Sequence, residues 1–390
     1  MLPLVTFTRI KYDAIKFAIE LFKTSGGVGK ELMDEGPSSC GSIGVIQAEQ
    51  LSCAEVAVLI VGFRNSQDIL NCLRALSRAA FSPSFDVFIC ENGGAEAYRR
   101  LIGDLLSEEG PSSFRVPLGI RVDPAGTRFT RIQRLSFRSG ASNVWIGCAV
   151  SNLGYAGGIN AWLLPLSDTP GWKGVWILNP DTEPSASALA ALYERAESGR
   201  KAMVGSTLVD NGDDERVRIR GGMQWQKARA IAIGRGERLG ASCNIAEIER
   251  AMDSPSGASM YVTRWCIERI GLMDERYFLF YEDLDWGVRA KSLGLGYARD
   301  SIVIHKRGTT TGSAKALAAI PRPSVYLEHR NGVHLVRRHF PSSLALRVAI
   351  SLMYAIRFLI RGAPNNSLAV VEGLIAGLKG EIGLPGEGSR

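Results

Sequence analysis

The chain is poor in the residues that staple or metallate small scaffolds. Its seven cysteines (Cys40, Cys53, Cys72, Cys90, Cys148, Cys243 and Cys266) are odd in number, scattered, and never in a Cys-x-x-Cys pair. That excludes a disulfide framework and a zinc knuckle. Basic and aromatic residues are not interleaved as on nucleic-acid surfaces, so no nucleic-acid partner is expected. The first twenty residues have no uninterrupted apolar core, because Arg9, Lys11, Asp13 and Lys16 break it up, and a cytoplasmic protein is expected. Gly26-Gly27-Val28-Gly29-Lys30 is superficially like a P-loop. Thr24 and Glu31 stand at the wrong positions and no strand precedes it, so that reading is rejected.

What is present is a 390-residue chain that is 46% hydrophobic, ample for a large α/β core. Its net charge of +7 favours an anionic partner, either a nucleotide diphosphate or a membrane surface. Three regions are expected: an N-terminal amphipathic helix and linker at 1–52, a catalytic-sized domain at 53–315, and a helical region at 316–390. In the first, Ile10, Ala14, Phe17, Ala18, Leu21 and Phe22 recur at helical spacing. In the last, Ser343, Arg347, Ser351, Arg357 and Arg361 share one third of a helical wheel at about 100° per residue. That stripe suits an interfacial helix with arginines at anionic headgroups, or a helix packed on the domain with its arginines in water.

The pattern of the middle region is that of an open α/β sheet. Val56 to Val61 is a short β-branched run ending at Gly62, as for a buried parallel strand. A helix from about Gln67 to Arg78 and a strand from Phe85 to Cys90 close a βαβ unit. Gly110 to Asn143 reads as an insertion, and Asp210 to Asp253 as a surface excursion with a hairpin pair. Strands are expected at Val144 to Val150, Gly174 to Leu178 and Tyr297 to His305. Gly, Asn and Asp residues collect at strand ends, the edge where ligands bind in such sheets.

Four motifs carry chemistry. Gly154, Gly157 and Gly158 open a helix after a strand, where backbone N–H groups can approach a phosphate or nucleoside or where the glycines only serve a tight turn; they lack the Gly-x-Gly-x-x-Gly spacing of a dinucleotide fold. Asp181, in the turn Asn179-Pro180-Asp181 at a strand end, suits Mg²⁺ or Mn²⁺ shared with a diphosphate; it equally suits a structural turn. His305 ends the strand Ile302-Val303-Ile304 ahead of Lys306-Arg307; a lone histidine is more often a buried structural one, but with the adjoining cations this set can meet a metal and a diphosphate. Finally, Glu282, Asp283 and Asp285 crowd into the aromatic run from Phe278 to Trp286. Carboxylates among aromatic rings are costly to desolvate unless a cation or transferable proton is near, so shifted proton affinities are expected there. The alternative is a helix N-terminus using acids against its dipole.

In this order the motifs resemble the family 2 glycosyltransferases with the GT-A fold, and more closely their bacterial rhamnosyltransferase-like branch. The resemblance rests on Val61-Gly62-Phe63-Arg64-Asn65, Glu91-Asn92, the spaced Asn152, Gly154 and Asn160, Asn179-Pro180-Asp181, Gly257-Ala258, Gly271 with Asp274-Glu275, Phe278 to Asp285, His305, and Tyr326 with Arg330-Asn331. It spans about Val56 to Arg338. It implies a Rossmann-like mixed, mostly parallel sheet flanked by helices, with helical additions at both ends. It also implies inverting transfer from a nucleotide-diphosphate sugar, most plausibly dTDP-rhamnose, to a cell-envelope or lipid-linked glycan acceptor, on the inner face of the cytoplasmic membrane.

Carried over by position, Phe63, Arg64, Glu91, Asn152, Gly154, Asn160, Asn179 and Arg330 would bind the nucleotide sugar. Asp181 and His305 would hold the divalent ion. Asp283 would be the general base, with Glu282 the competing candidate and Asp285 a helix cap. Three departures stand out: Glu91 for the usual Asp, Gly62 for Thr and Arg64 for Asn. A processive synthase is disfavoured because Gln-x-x-Arg-Trp is missing after the acidic motif. A nucleotidyltransferase on a similar scaffold, or a non-catalytic sugar-nucleotide-binding or glycan-binding module, are the other readings.

Overall fold

The computed structural model describes residues 54–79, 83–113, 128–137, 142–211, 216–306 and 317–384. The expected N-terminal helix, the P-loop-like segment and Arg307 lie outside the described residues.

Strand β1 (Val56–Gly62) is buried at all seven positions, as its continuous apolar run requires. Helix α1 (Ser66–Leu76) puts Ile69, Leu70, Leu73 and Leu76 on its buried face, and β2 (Phe85–Glu91) returns parallel to β1 with Gly62 opposite Glu91. Helix α2 (Gly94–Leu106), a short β3 (Ser112–Ser113), β4 (Phe129–Phe137) and β5 (Asn143–Ala149) follow. β4 is antiparallel to β5, so this part of the stretch read as an insertion extends the sheet. It escaped the pattern because one face meets solvent, leaving Thr130 and Arg131 exposed among apolar neighbours.

Next come α3 (Gly154–Ser167), β6 (Gly174–Leu178), β7 (Thr182–Pro184), α4 (Ala188–Gly199) and β8 (Met203–Asp210). The excursion after β8 contains β9 (Val217–Arg220), the hairpin β10 (Gly222–Gln226) and β11 (Arg229–Ala232), then α5 (Ile245–Ala251). The chain re-enters the body through β12 (Ser254–Pro255), β13 (Ser259–Thr263), α6 (Arg264–Ile270), α7 (Glu282–Ala290) and β14 (Leu295–His305). It finishes with α8 (Arg322–His339), α9 (Leu344–Ile360) and α10 (Pro364–Lys379).

The main sheet has the order β3-β4-β5-β2-β1-β6-β13-β8-β14-β7, with β9 on β8. Its heart, β5-β2-β1-β6, is parallel, and β14 is parallel to β8. Helices cover both faces over two apolar cores. β13 runs against both β6 and β8, so β13 begins at the edge where β1, β2, β6 and β14 end. Gly62, Glu91, Asn179, Gly257 and His305 therefore all reach one edge of the sheet.

The C-terminal helices correct one expectation. Arg347 and Ser351 of α9 face inward and are buried, not set in water or at headgroups. Arg347 donates to the Glu328 carbonyl at 2.9 Å, and Ser351 lies 3.0 Å from His329 Nδ1. Burial and the neighbouring Arg347 push His329 down to about 3, so it is neutral at this interface. The wheel position of the stripe was right. Arg347 and Ser351 turn inward because they find fixed partners on α8, whereas Arg357 and Arg361 of the same stripe stay exposed as expected.

Candidate active site

The site is built on strand ends. β6 delivers Asn179-Pro180-Asp181, and the Asn179 amide donates to the Ala258 carbonyl at 3.0 Å, joining that turn to the entry of β13. β7 pairs with β14 so that His305 stands opposite Thr182, and His305 Nε2 comes 3.2 Å from Asp181 Oδ1. Both side chains are nearly buried. Lys306 pairs with Glu183, which takes that cation out of the ligand set.

The acidic segment reaches the same place from the other side. Phe278, Phe280 and Tyr281 all have φ between 63° and 72°. This left-handed run of bulky residues is strained and needs outside support. Asn331 Nδ2 supplies it, lying 2.6 to 3.1 Å from the carbonyls of Tyr277, Leu279 and Phe280. Arg330 donates to the Tyr277 and Gly383 carbonyls. The turn delivers Glu282 and Asp283 as the first residues of α7.

The two acids differ. Asp283 is partly exposed, and its two oxygens accept from the Gly257 amide at 3.0 Å and the Leu284 amide at 2.8 Å. Burial raises its proton affinity above the ordinary carboxylate range against the pull of those bonds. Glu282 is buried, with Oε2 lacking a partner among the described residues. Burial, then the charge of Asp283, drives it well above the usual range.

Asp285 behaves otherwise. It is fully buried and receives bonds from His339 at 2.7 Å, Arg289 at 2.9 Å and Arg338 at 3.1 Å. Burial favours its proton, but the His339 bond and the Arg289 and Arg338 charges outweigh that and hold it below the ordinary range. It is not a helix cap; it ties α7 to the basic end of α8.

Tyr155, which the sequence motifs did not single out, joins the two halves. Its hydroxyl lies 2.9 Å from Asn179 Oδ1 and 2.8 Å from the Gly257 carbonyl. Its proton is held tightly by burial and then by the negative fields of Glu282, Asp283 and Asp181. Gly257 also donates its amide to Asp283, so Tyr155 and Gly257 tie the Asn-Pro-Asp turn to the acid segment. Tyr155 is positioned by Gly154, whose φ is +73° and where a Cβ would fall 2.3 Å from the Phe278 carbonyl. Asn152 Oδ1 accepts from the Gly154 amide at 3.1 Å, and Asn92 donates to the Gly154 carbonyl at 2.8 Å. The only advance signal for Tyr155 was its place directly after that glycine.

At the far end of the edge, Glu91 Oε1 accepts from the Gly93 amide at 2.7 Å and the Arg64 amide at 3.1 Å, while burial raises its proton affinity. A Cβ on Gly62 would lie 2.8 Å from Glu91 Oε2. Ile69 Cδ1 lies equally close, so the Glu91 and Ile69 side chains together fill the space a side chain at 62 would need. Phe63 is exposed, with the Arg64 guanidinium 5.3 Å from its ring centre.

Two expected donor-binding residues are placed elsewhere. Asn160 is 1% exposed, donating to the Met273 carbonyl at 2.9 Å and Glu275 at 2.8 Å, and accepting from the Met273 amide. Arg330 is also 1% exposed. Both ends of the Asn160 amide and all three guanidinium nitrogens of Arg330 are bonded to protein, so these side chains brace the acid segment, whereas Glu91 has only Oε1 engaged.

Asp181 and His305 fit a divalent ion. Two ligands about 2.1 Å from one ion at a right angle stand about 3.0 Å apart, close to the distance found. Among the described residues no cluster of three or more His, Cys, Asp or Glu is arranged for a metal. The other positions of such an ion would fall to diphosphate and water.

No family model matches the chain. It is 28% identical over 252 residues to the N-acetylglucosaminyl-diphospho-decaprenol L-rhamnosyltransferase of Mycobacterium tuberculosis (strain ATCC 25618 / H37Rv), covering 57% of this chain and 79% of the relative. It is 22% identical over 243 residues to the low-salt glycan biosynthesis hexosyltransferase Agl10 of Haloferax volcanii, covering 60% and 75%. Among solved structures, GalNAc-T7 with UDP, GalNAc and Mn²⁺ aligns with a TM-score of 0.47 at 10% identity, covering 83% of this chain and 54% of that one. The mannosyltransferase PcManGT of Pyrobaculum calidifontis with GDP-Man and Mn²⁺ aligns with a TM-score of 0.44 at 10% identity, covering 87% and 90%. The sequence relatives are of the kind that the ordered motifs resemble.

Proposed function

We propose that this rhamnosyltransferase-like glycosyltransferase moves rhamnose from dTDP-rhamnose onto a lipid-linked or other cell-envelope glycan, with inversion at the anomeric carbon, at the inner face of the cytoplasmic membrane. The observation that carries the reading is the tie that Tyr155 and Gly257 make between the Asp181 turn and the acid segment. The likeness to an L-rhamnosyltransferase named for a diphospho-decaprenol acceptor supports the choice of sugar and acceptor.

In the proposed reaction an acceptor hydroxyl oxygen attacks the anomeric carbon as the bond from that carbon to the diphosphate oxygen breaks. The hydroxyl proton passes to Asp283 and dTDP leaves. Asp283 is the better base of the two acids because it is partly exposed, with both oxygens fixed by backbone amides. Its raised proton affinity brings it closer to matching a proton received near neutrality. Glu282 is enclosed and keeps its own proton more readily, which lowers the repulsion that Asp283 meets. A Mg²⁺ or Mn²⁺ ion bound by Asp181 and His305 would stabilise the charge gathering on the diphosphate. Asn179, tethered by Tyr155, holds the turn beside it, and Asn152 shapes the loop that carries Gly154. Glu91, fixed by the Arg64 and Gly93 amides, would read the pyrimidine, with Phe63 and Arg64 at its flank.

The test is mass spectrometry of products after incubating the protein with cell lipid extract, Mn²⁺ and dTDP, UDP or GDP sugars in parallel. Expected is a deoxyhexose added to a lipid-linked glycan from dTDP-rhamnose alone. Metal-dependent binding of a sugar nucleotide without transfer or hydrolysis would instead identify a binding module.

A further inference from the structure

We propose that the outward face of α9, with the arginine-lined cavity beside it, docks this protein on an anionic lipid bilayer, α9 lying in the interface plane and a headgroup phosphate seated between Arg229 and Arg235. The inward side of α9 carries Arg347 and Ser351 with Ile350, Ala355 and Phe358, and a second apolar set points out. Met353 is 61% exposed, Leu359 60% and Ile360 77%, with Leu352 and Ile356 exposed between them. Such a contiguous apolar face marks an interaction surface.

Its surroundings specify the occupant. A cavity of about 600 Å³ opens between the β10–β11 hairpin and α9, lined by Arg229, Ile231, Arg235 and Tyr354 among others. Glu237 also lines it, but its carboxylate is engaged by the buried Arg220 at 2.7 Å. Arg229, Arg235, Arg357 and Arg361 are exposed and have no side-chain hydrogen bond or ion pair among the described residues. Apolar side chains beside unpaired arginines match acyl chains beneath phosphate headgroups. A second copy of this chain meeting the same face would bring like charges together.

The helix lies in the interface and does not cross it. The segment Pro341–Ile360 has 20 residues and a mean hydropathy of 1.7, enough in length and composition to span. Crossing would strip Arg347 and Ser351 from their partners on α8 and leave them in hydrocarbon. The inward side of α9 also touches the acid turn. The Arg347 guanidinium stands 5.5 Å from the centre of the Tyr281 ring, and Tyr281 directly precedes Glu282 and Asp283. Docking would therefore hold the acid turn close to the bilayer; that consequence alone rests on the proposed transfer to a lipid-linked acceptor.

Flotation of the full chain with vesicles tests this without any need for turnover. With equal parts phosphatidylglycerol and phosphatidylcholine the protein is expected to float, and with phosphatidylcholine alone to partition about tenfold less. Met353→Glu with Ile356→Glu, both at exposed positions, should keep it at the bottom while its thermal melt is unchanged. Arg229→Gln with Arg235→Gln should lower partition on anionic vesicles about tenfold and leave partition on neutral vesicles unchanged. Failure of the natural protein to float on either vesicle overturns the proposal, as does equal flotation of either variant. A dimer in sedimentation equilibrium that the Met353→Glu, Ile356→Glu variant abolishes, without flotation, would assign the face to a second copy.

Discussion

Within one turn of α7, Asp283 and Asp285 are chemically identical and physically opposite. Asp283 touches only backbone amides through its oxygens and holds its proton more tightly than usual. Asp285, two residues on, is sealed among His339, Arg289 and Arg338 and gives up its proton more readily than usual. The difference lies in the partners, not in burial, which favours the proton at both. A carboxylate surrounded by cations is a structural anchor, and one left with a free lone pair at a strand edge is available for chemistry.

The sharpest way to break this contrast from the structural side is Asp285→Asn. Removing one partner of a buried charged cluster typically costs about 3–5 kcal/mol, so a large fall in denaturation midpoint is expected. Because the folded-state affinity of Asp285 is lowered, its stabilisation is complete above the ordinary carboxylate range and lost as pH falls through the lowered value. The gap between the natural protein and the Asp285→Asn variant should therefore close in acid. An unchanged midpoint at neutral pH would remove Asp285 from its anchoring role.

Tyr155→Phe tests the link between the two halves of the site. Losing one phenol shared by two acceptors should cost about 1–2 kcal/mol of stability. Turnover should fall by more than that loss explains, with the circular dichroism spectrum kept. Full turnover would show that the turn and the acids need no common tether.

The smallest effect is expected at Glu282→Gln. A raised folded-state affinity contributes stability below the unfolded value and loses it as pH rises through the folded one, so the natural Glu282 is a liability at neutral pH. The Gln variant should melt higher there, by about 1 kcal/mol, and the same in acid. Its pH–rate profile should retain an acid limb, since Asp283 remains. Loss of that limb would make Glu282 the titrating base.

Much of the fold is legible in the sequence. β1 and β6 are continuous apolar runs, and a strand buried on both faces has no other way to look. The turn Asn179-Pro180-Asp181 and the acids at 282 and 283 stood out because carboxylates are rare where apolar chain surrounds them. β4 and β8 escaped notice, one because its open face mixes arginine and threonine with apolar residues, the other because Gly205, Ser206 and Thr207 interrupt it. Asn160 and Arg330 read as ligand-binding in the sequence because a polar side chain that braces a loop is written with the same letter as one that binds. For Arg347 and Ser351 periodicity fixed an angle on the helix but could not say which side of it the body occupies.

The central claim is that Asp181, His305 and Asp283 serve one reaction at one sheet edge. It is tested most directly by measuring, on the same Asp283→Asn preparation, Mn²⁺-dependent dTDP-rhamnose binding by calorimetry and sugar transfer by single-turnover kinetics. Expected is donor affinity within about twofold of the natural protein with transfer reduced about a thousandfold, the scale of a lost general base. Transfer at the natural rate with intact donor binding would contradict it.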